Sequence, residues 1–154
     1  MKVKRNPSMI SSATIRIAAA IIRRADGMIL LVRKRGTATF MQPGGKIEFG
    51  EEPVAALCRE LSEELGLEVN LAEPQYLGRY SAVAAHESGH VVVADIFRID
   101  VNECVTPAAE IEEISWVDPK KSVALVVAPL TRDHVFRLVR TDADGGARDQ
   151  QPLP

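Results

Sequence analysis

The chain is poor in several things, and each shortage removes a class of protein. Only two cysteines, Cys58 and Cys104, occur in 154 residues. They stand far apart with no partner to complete a zinc ligand set, so a disulfide scaffold and a structural zinc site are both disfavoured. Two buried free thiols in a reducing compartment are expected. Aromatics are scarce, at four Phe, two Tyr and one Trp. The longest apolar run, Val123 to Leu130, is interrupted by Pro129 and falls well short of the roughly 18 residues a membrane span needs. Neither sign of charge dominates: 19 basic against 21 acidic residues leave a net charge of −2. No strong global field draws the chain to a nucleic acid polymer or a membrane surface. The basic N-terminus does not read as a secretory signal, because Arg16, Arg23 and Arg24 interrupt and follow the apolar segment. A cytoplasmic protein is expected.

Apolar content is 46% and charged content 26%, ordinary for one globular domain of this length. Residues 1–11 read as an extension and 12–140 as the domain. From Thr141 onward almost nothing apolar remains, so 141–154 is expected to be a mobile tail. Within the domain, Ser12 to Arg24 and Met28 to Arg35 read as strands joined by the turn signal Asp26-Gly27. Phe40 to Glu48 is too broken by Pro43-Gly44-Gly45 to be a regular central strand. Tyr76 to Ala85 and Val91 to Val101 form a second hairpin around His86 to His90, exposed turn residues, and Ile111 to Val117 is a further strand. Leu130 to Arg140 repeats apolar residues at helical spacing. The fold class is α+β with a mixed or antiparallel sheet.

The clearest helix is Pro53 to Leu65. Proline suits its first turn, Glu51 and Glu52 suit the positive end of its dipole, and Gly66 stops it. Projected at about 100° per residue from Glu60, residues Val54, Leu57, Cys58, Leu61 and Leu65 form one apolar stripe. Glu60, Glu63 and Glu64 share an arc beside it, with Arg59 placed one turn before Glu63 to pair with it. Three carboxylates on one strip repel one another unless a cation lies between them, and hard divalent ions take oxygen ligands. The preceding Gly44-Gly45 loop and a helix N-terminus allow close backbone approach to an anion. The combination points to a metal–diphosphate site, with a solvated helix face as the plainer alternative.

Gly45, then Glu51, then Arg59-Glu60-Leu61-Ser62-Glu63-Glu64-Leu65-Gly66-Leu67 fills every defined position of the pattern G-x5-E-x7-R-E-U-x-E-E-x-G-U, U being a bulky aliphatic residue. This resembles the Nudix family, and the text PGGKIEFGE is similar to its MutT-like members. The resemblance implies an α/β/α sandwich around a mixed sheet and hydrolysis of a nucleoside diphosphate linked to a moiety X, with Mg²⁺ or Mn²⁺. It implies that Glu60, Glu63 and Glu64 bind metal, joined by the Gly45 carbonyl, that Arg59 orients them, and that Glu51 and Gly66 shape the motif. The base is left open among the glutamates. A further carboxylate is expected from Glu110-Ile111-Glu112-Glu113-Ile114-Ser115-Trp116: Glu110, with Glu113 as alternative.

Arg33, Lys34 and Arg35 end the second strand where a cation can meet phosphate, and Arg33 and Arg35 are the candidates singled out, together with Gly44; a solvated strand end is the plainer alternative. Phe40 and Tyr80 are candidates to stack on a base. The ADP-ribose and dinucleoside polyphosphate subtypes carry a proline or a tyrosine downstream of the box, and Ala82 to Ala85 holds neither. The similarity around PGGKIEFGE and the small size imply nucleoside triphosphate pyrophosphohydrolysis as the expected activity, with ADP-ribose or nucleotide-sugar cleavage, or a non-catalytic nucleotide sensor, as rivals. By analogy with the family, a homodimer is an expected assembly.

Overall fold

A computed structural model describes residues 13–121 and 123–144 of the chain. Seven strands form one mixed sheet: β1 (Ala13–Arg23), β2 (Ile29–Lys34), β3 (Phe40–Met41), β4 (Gly44–Lys46), β5 (Gln75–Val83), β6 (His90–Asp100) and β7 (Ile111–Val117). Helix α1 spans Pro53–Leu65. A wide helical turn over Thr131–Val135 leads into α2, Phe136–Asp144. The first four residues of the expected tail are thus helical, and the rest of it, like residues 1–11, lies outside the described residues.

Both faces of the sheet are covered, which is why β1 and β2 carry continuous apolar runs rather than alternating ones. One face packs Ala18, Ala20, Ile22, Leu30 and Val32 against Leu57, Leu61 and Leu65 of α1. The other packs Ile21, Ile29, Leu31, Ala94 and Ile96 against Leu130, Val135, Phe136 and Val139. Each fully buried aliphatic side chain contributes about 1.5–3 kcal/mol relative to exposure. The sandwich follows from this two-sided burial.

β1 is the organising strand. It pairs in parallel with β6 along its whole length, from Ala13 opposite His90 to Arg23 opposite Asp100. The expected β1–β2 hairpin survives only as the single pair Arg23–Ile29. Beyond it, β1 takes β4 as its antiparallel partner, Ile17 to Ala19 opposite Lys46 to Gly44, while β2 pairs with β7. The two strands therefore splay, and the Gly44-Gly45 segment enters the gap. Buried Asp95 ties three strands together, accepting bonds from Arg16 on β1 at 3.2 Å, Arg79 on β5 at 3.0 Å and the Tyr76 hydroxyl at 2.9 Å.

The thiols differ from expectation. Both are free, but Cys58 is half-buried and Cys104 exposed, since Cys58 falls at the edge of the buried stripe rather than within it.

Candidate active site

The site begins with two glycines packed closely against their neighbours. A Cβ on Gly44, whose φ is 142°, would lie 2.1 Å from the Ala18 carbonyl oxygen. A Cβ on Gly45 would lie 2.4 Å from the carboxyl carbon of Glu60. Close packing of β4 against the β1 backbone thus requires glycine at Gly44, whereas a side chain at Gly45 would displace the Glu60 carboxylate that rests on it. The Gly44 N–H donates to Glu64 Oε1 at 3.3 Å.

This packing rotates the helix relative to the sequence projection. The buried residues of α1 are Ala56, Leu57, Leu61, Glu64 and Leu65, so Glu64 lies inside the apolar stripe, 2% exposed, rather than beside it. Burial pushes its carboxyl up to about 7, opposed by the Gly44 N–H and reinforced by the charge of Glu60. Burial also raises Glu60, with the hydrogen bond from Arg59 working against it. Glu63 is exposed.

Arg59 is the hub of the loop and does not pair with Glu63 as expected. Its Nε and Nη2 grip Glu51 at 2.9 and 2.8 Å, its Nη1 donates to Glu60 Oε2 at 2.9 Å, and Nη2 also reaches the Lys46 carbonyl at 3.2 Å. Glu51 in turn accepts the Glu48 N–H at 2.9 Å. Those bonds, led by Arg59, hold the Glu51 carboxyl at about 2. Glu51 therefore braces the loop instead of serving the helix dipole. Glu52 is the N-cap but makes no side-chain capping bond, and Gly66 ends the helix at φ 67°.

Of the basic run, the structure turns Lys34 toward the glutamates and the other two away. The Lys34 Nζ lies 3.7 Å from Glu110, and its charge is felt by both Glu60 and Glu64. Arg33 instead pairs with Glu113 at 2.9 Å and donates to the Thr37 carbonyl at 2.8 Å. Arg35 pairs with Glu112 at 3.3 Å and bonds the Ala109 carbonyl. Strand alternation, displaced by an irregularity between Arg33 and Lys34, decides which side each faces. Of the two candidates on the β7 side, Glu110 joins the site through Lys34, and Glu113 is occupied by Arg33. Phe40 is also withdrawn from its expected place: it is 6% exposed, within the core. Tyr80 packs against His134 with ring centroids 5.1 Å apart.

A cavity of about 140 Å³ opens from Gly44 and Gly45 along the sheet face opposite α1. Ile15, Ile17, Val92 and Leu130 give it apolar walls, Gln42 and Thr131 line it, and Lys34 and His86 border it. The basic run was expected to reach phosphate without a choice of Lys34 over its neighbours, and the alternation of β2 was a usable signal for that choice. Sequence reasoning missed Gln42 and Thr131, which meet across 89 positions with no local signature.

The donor set is all oxygen and suits a hard divalent ion. Among the described residues no three acidic, histidine or cysteine side chains already converge into a finished cage. Mg²⁺ is held by one or two carboxylates and keeps several waters, so a partial set of Glu60 and Glu64, flanked by Glu63 and the Gly45 backbone, fits it.

Comparison with known proteins agrees with this geometry. The sequence profile described as the NUDIX domain matches residues 14–138. A CTP pyrophosphohydrolase of Escherichia coli (strain K12) is 31% identical over 122 residues, 75% of this chain and 84% of that protein. A putative 8-oxo-dGTP diphosphatase 2 of Mycobacterium tuberculosis is 33% identical over 145 residues, 86% of this chain and 92% of that one. The solution structure of the E. coli ORF135 protein superimposes with a TM-score of 0.65 at 27% identity, covering 92% of this chain and 97% of that one.

Proposed function

The chain belongs to the Nudix hydrolase family, and on that premise we propose that it is a metal-dependent nucleoside triphosphate pyrophosphohydrolase, releasing a nucleoside monophosphate and pyrophosphate. The observation that carries this reading is the continuity of an apolar cavity with the Gly44-Gly45 strand, whose other side bears the carboxylates of Glu60 and Glu64. A base in the cavity sets its phosphates at the glycines, within reach of both. The names of the two relatives, for CTP and for 8-oxo-dGTP, support a triphosphate as the substrate class.

In this reading Glu60, Glu64 and exposed Glu63, with the Gly45 carbonyl, hold Mg²⁺ or Mn²⁺. Bound there, a divalent ion neutralises phosphate oxygens and lowers the pKa of the attacking water. Arg59 fixes the Glu60 rotamer by bonding one oxygen and leaves the other free. The Gly44 N–H occupies Glu64 Oε1, which leaves Oε2 to turn toward the ion, and one glutamate of the set accepts the proton of the attacking water. Lys34 neutralises a phosphate oxygen, exchanging it for its pairing with Glu110, and Glu110 supplies the distal carboxylate. Among the described residues no helix is long and apolar enough to cross a membrane, and a cytoplasmic setting suits a substrate drawn from the nucleotide pool.

The test is a panel of nucleoside triphosphates, oxidised nucleotides, ADP-ribose, nucleotide sugars and dinucleoside polyphosphates, with Mg²⁺ and with Mn²⁺. Monophosphate and pyrophosphate should appear from a triphosphate. Preferred cleavage of ADP-ribose or a nucleotide sugar overturns the substrate class, and tight nucleotide binding without turnover moves the assignment to a sensor.

A further inference from the structure

The floor of the cavity carries a polar pair that hydrolysis at the glycines does not explain. Gln42 is 6% exposed and Thr131 fully buried, and both line a cavity otherwise walled by Ile17, Val92 and Leu130. Resting on the nucleotide reading above, we infer that Gln42, positioned by Thr131, reads the edge of the nucleobase and sets which base the enzyme accepts.

The argument turns on how firmly the pair is oriented. Gln42 Nε2 donates to the Ala20 carbonyl at 3.0 Å. A carbonyl only accepts, so the amide nitrogen must face it; a flipped amide would set two acceptors against each other. The Thr131 hydroxyl donates to Gln42 Oε1 at 3.1 Å, which uses its one proton. What remains is one N–H on Gln42 and a second lone pair on its oxygen. The floor thus has one donor and one adjacent acceptor in fixed order, the complement of a base edge carrying a carbonyl or ring nitrogen beside an N–H. Thr131 is itself held by the wide turn, where its carbonyl accepts the Phe136 N–H. Such turns interrupt α-helices frequently at functional sites. A freely rotating hydroxyl in an open helix would tolerate any edge, whereas a pinned pair with apolar walls penalises a mismatch by leaving polar groups unpaired.

A purely structural role is the competing account, since Gln42 also satisfies the Ala20 carbonyl, beside the bond from the Ala20 N–H to the Pro43 carbonyl. Base ranking separates the two. The kcat/KM values of ATP, GTP, CTP and UTP are measured for the wild type, Gln42→Met, Thr131→Val and Thr131→Ser, with Tm read in parallel. The spread between best and worst base should shrink roughly tenfold or more in Thr131→Val and Gln42→Met, chiefly through KM, and be retained in Thr131→Ser. A common fall for all four bases, or an unchanged ranking, overturns the inference. If Gln42→Met does not fold, the Thr131 pair decides alone. If the wild type turns over none of the panel, the activity assigned above fails, and calorimetric binding of the four monophosphates to the same proteins reads the base ranking independently.

Discussion

Replacing Glu64 by Gln should make the metal-free protein more stable at alkaline pH while removing its activity. The carboxyl is buried and its pKa is raised from 4.5 to about 7. A raised carboxylate pKa means the folded state binds more protons than the unfolded one across that interval, so stability is full below about 4.5 and falls as pH rises through about 7. At 1.36 kcal/mol per unit the shift corresponds to about 3 kcal/mol, a large share of the 5–15 kcal/mol that holds a domain together. Glutamine keeps the shape and an oxygen for the Gly44 N–H but never ionises. Urea unfolding of both proteins in EDTA, at about pH 5 and about pH 8, checks this. The variant should gain about 2–3 kcal/mol on the wild type between the two conditions, since part of the shift is already lost at about pH 5. Added Mg²⁺ should then reverse the order at the higher pH, because an ion that binds only the folded wild type stabilises it by mass action. A stability difference independent of pH would refute the argument that burial, rather than a fixed contact, governs this carboxyl.

Other expectations concern the frame around it. Gly45→Ala pushes a methyl against the Glu60 carboxylate, the far end of a flexible side chain; the carboxylate should swing aside and lose its bond from Arg59, so kcat should fall steeply while Tm changes little. Arg59→Lys keeps the charge but not the two-pronged grip on Glu51; activity should fall while far-ultraviolet circular dichroism is unchanged, since a lysine cannot replace a planar fork. Lys34→Ala should raise KM for the triphosphate more than Arg35→Ala does, read in steady-state kinetics, because only Lys34 faces the glutamates. Glu110→Gln should lower kcat more than Glu113→Gln, whose carboxylate is engaged by Arg33.

How much of this was readable beforehand depends on how local the cause is. Helix α1 has the bounds expected, Pro53 to Leu65, because its proline, its glycine and its apolar period all lie within it. Strand β7 is likewise found at Ile111–Val117. The burial of Glu64 was not readable, because the angle at which α1 meets the sheet is set by Gly44 and Gly45 packing beneath it. The reduction of the first hairpin to one pair has the same character, since the competing partners of β1 and β2 are β4, β6 and β7. A three-residue basic run gives charge but no direction, which is why Lys34 changed places with Arg33 and Arg35. Cys58 and Phe40 show the same limit in apolar positions: residue type does not say which edge of a layer a side chain will occupy.

The long parallel pairing of β1 with β6 also fixes an order of events during synthesis. Ala13 meets His90, so the apolar run Ala18 to Ile22 leaves the ribosome long before its main partner exists. At roughly 5–20 residues per second the wait is about 4–15 s. During that interval β4 and α1 are already made, yet the strand that anchors them has one of its two edges open. A chain that stops before His90 also lacks β6, β7 and Glu110. An arrested or truncated nascent chain ending before His90 should therefore be sticky and inactive, however complete its catalytic motif.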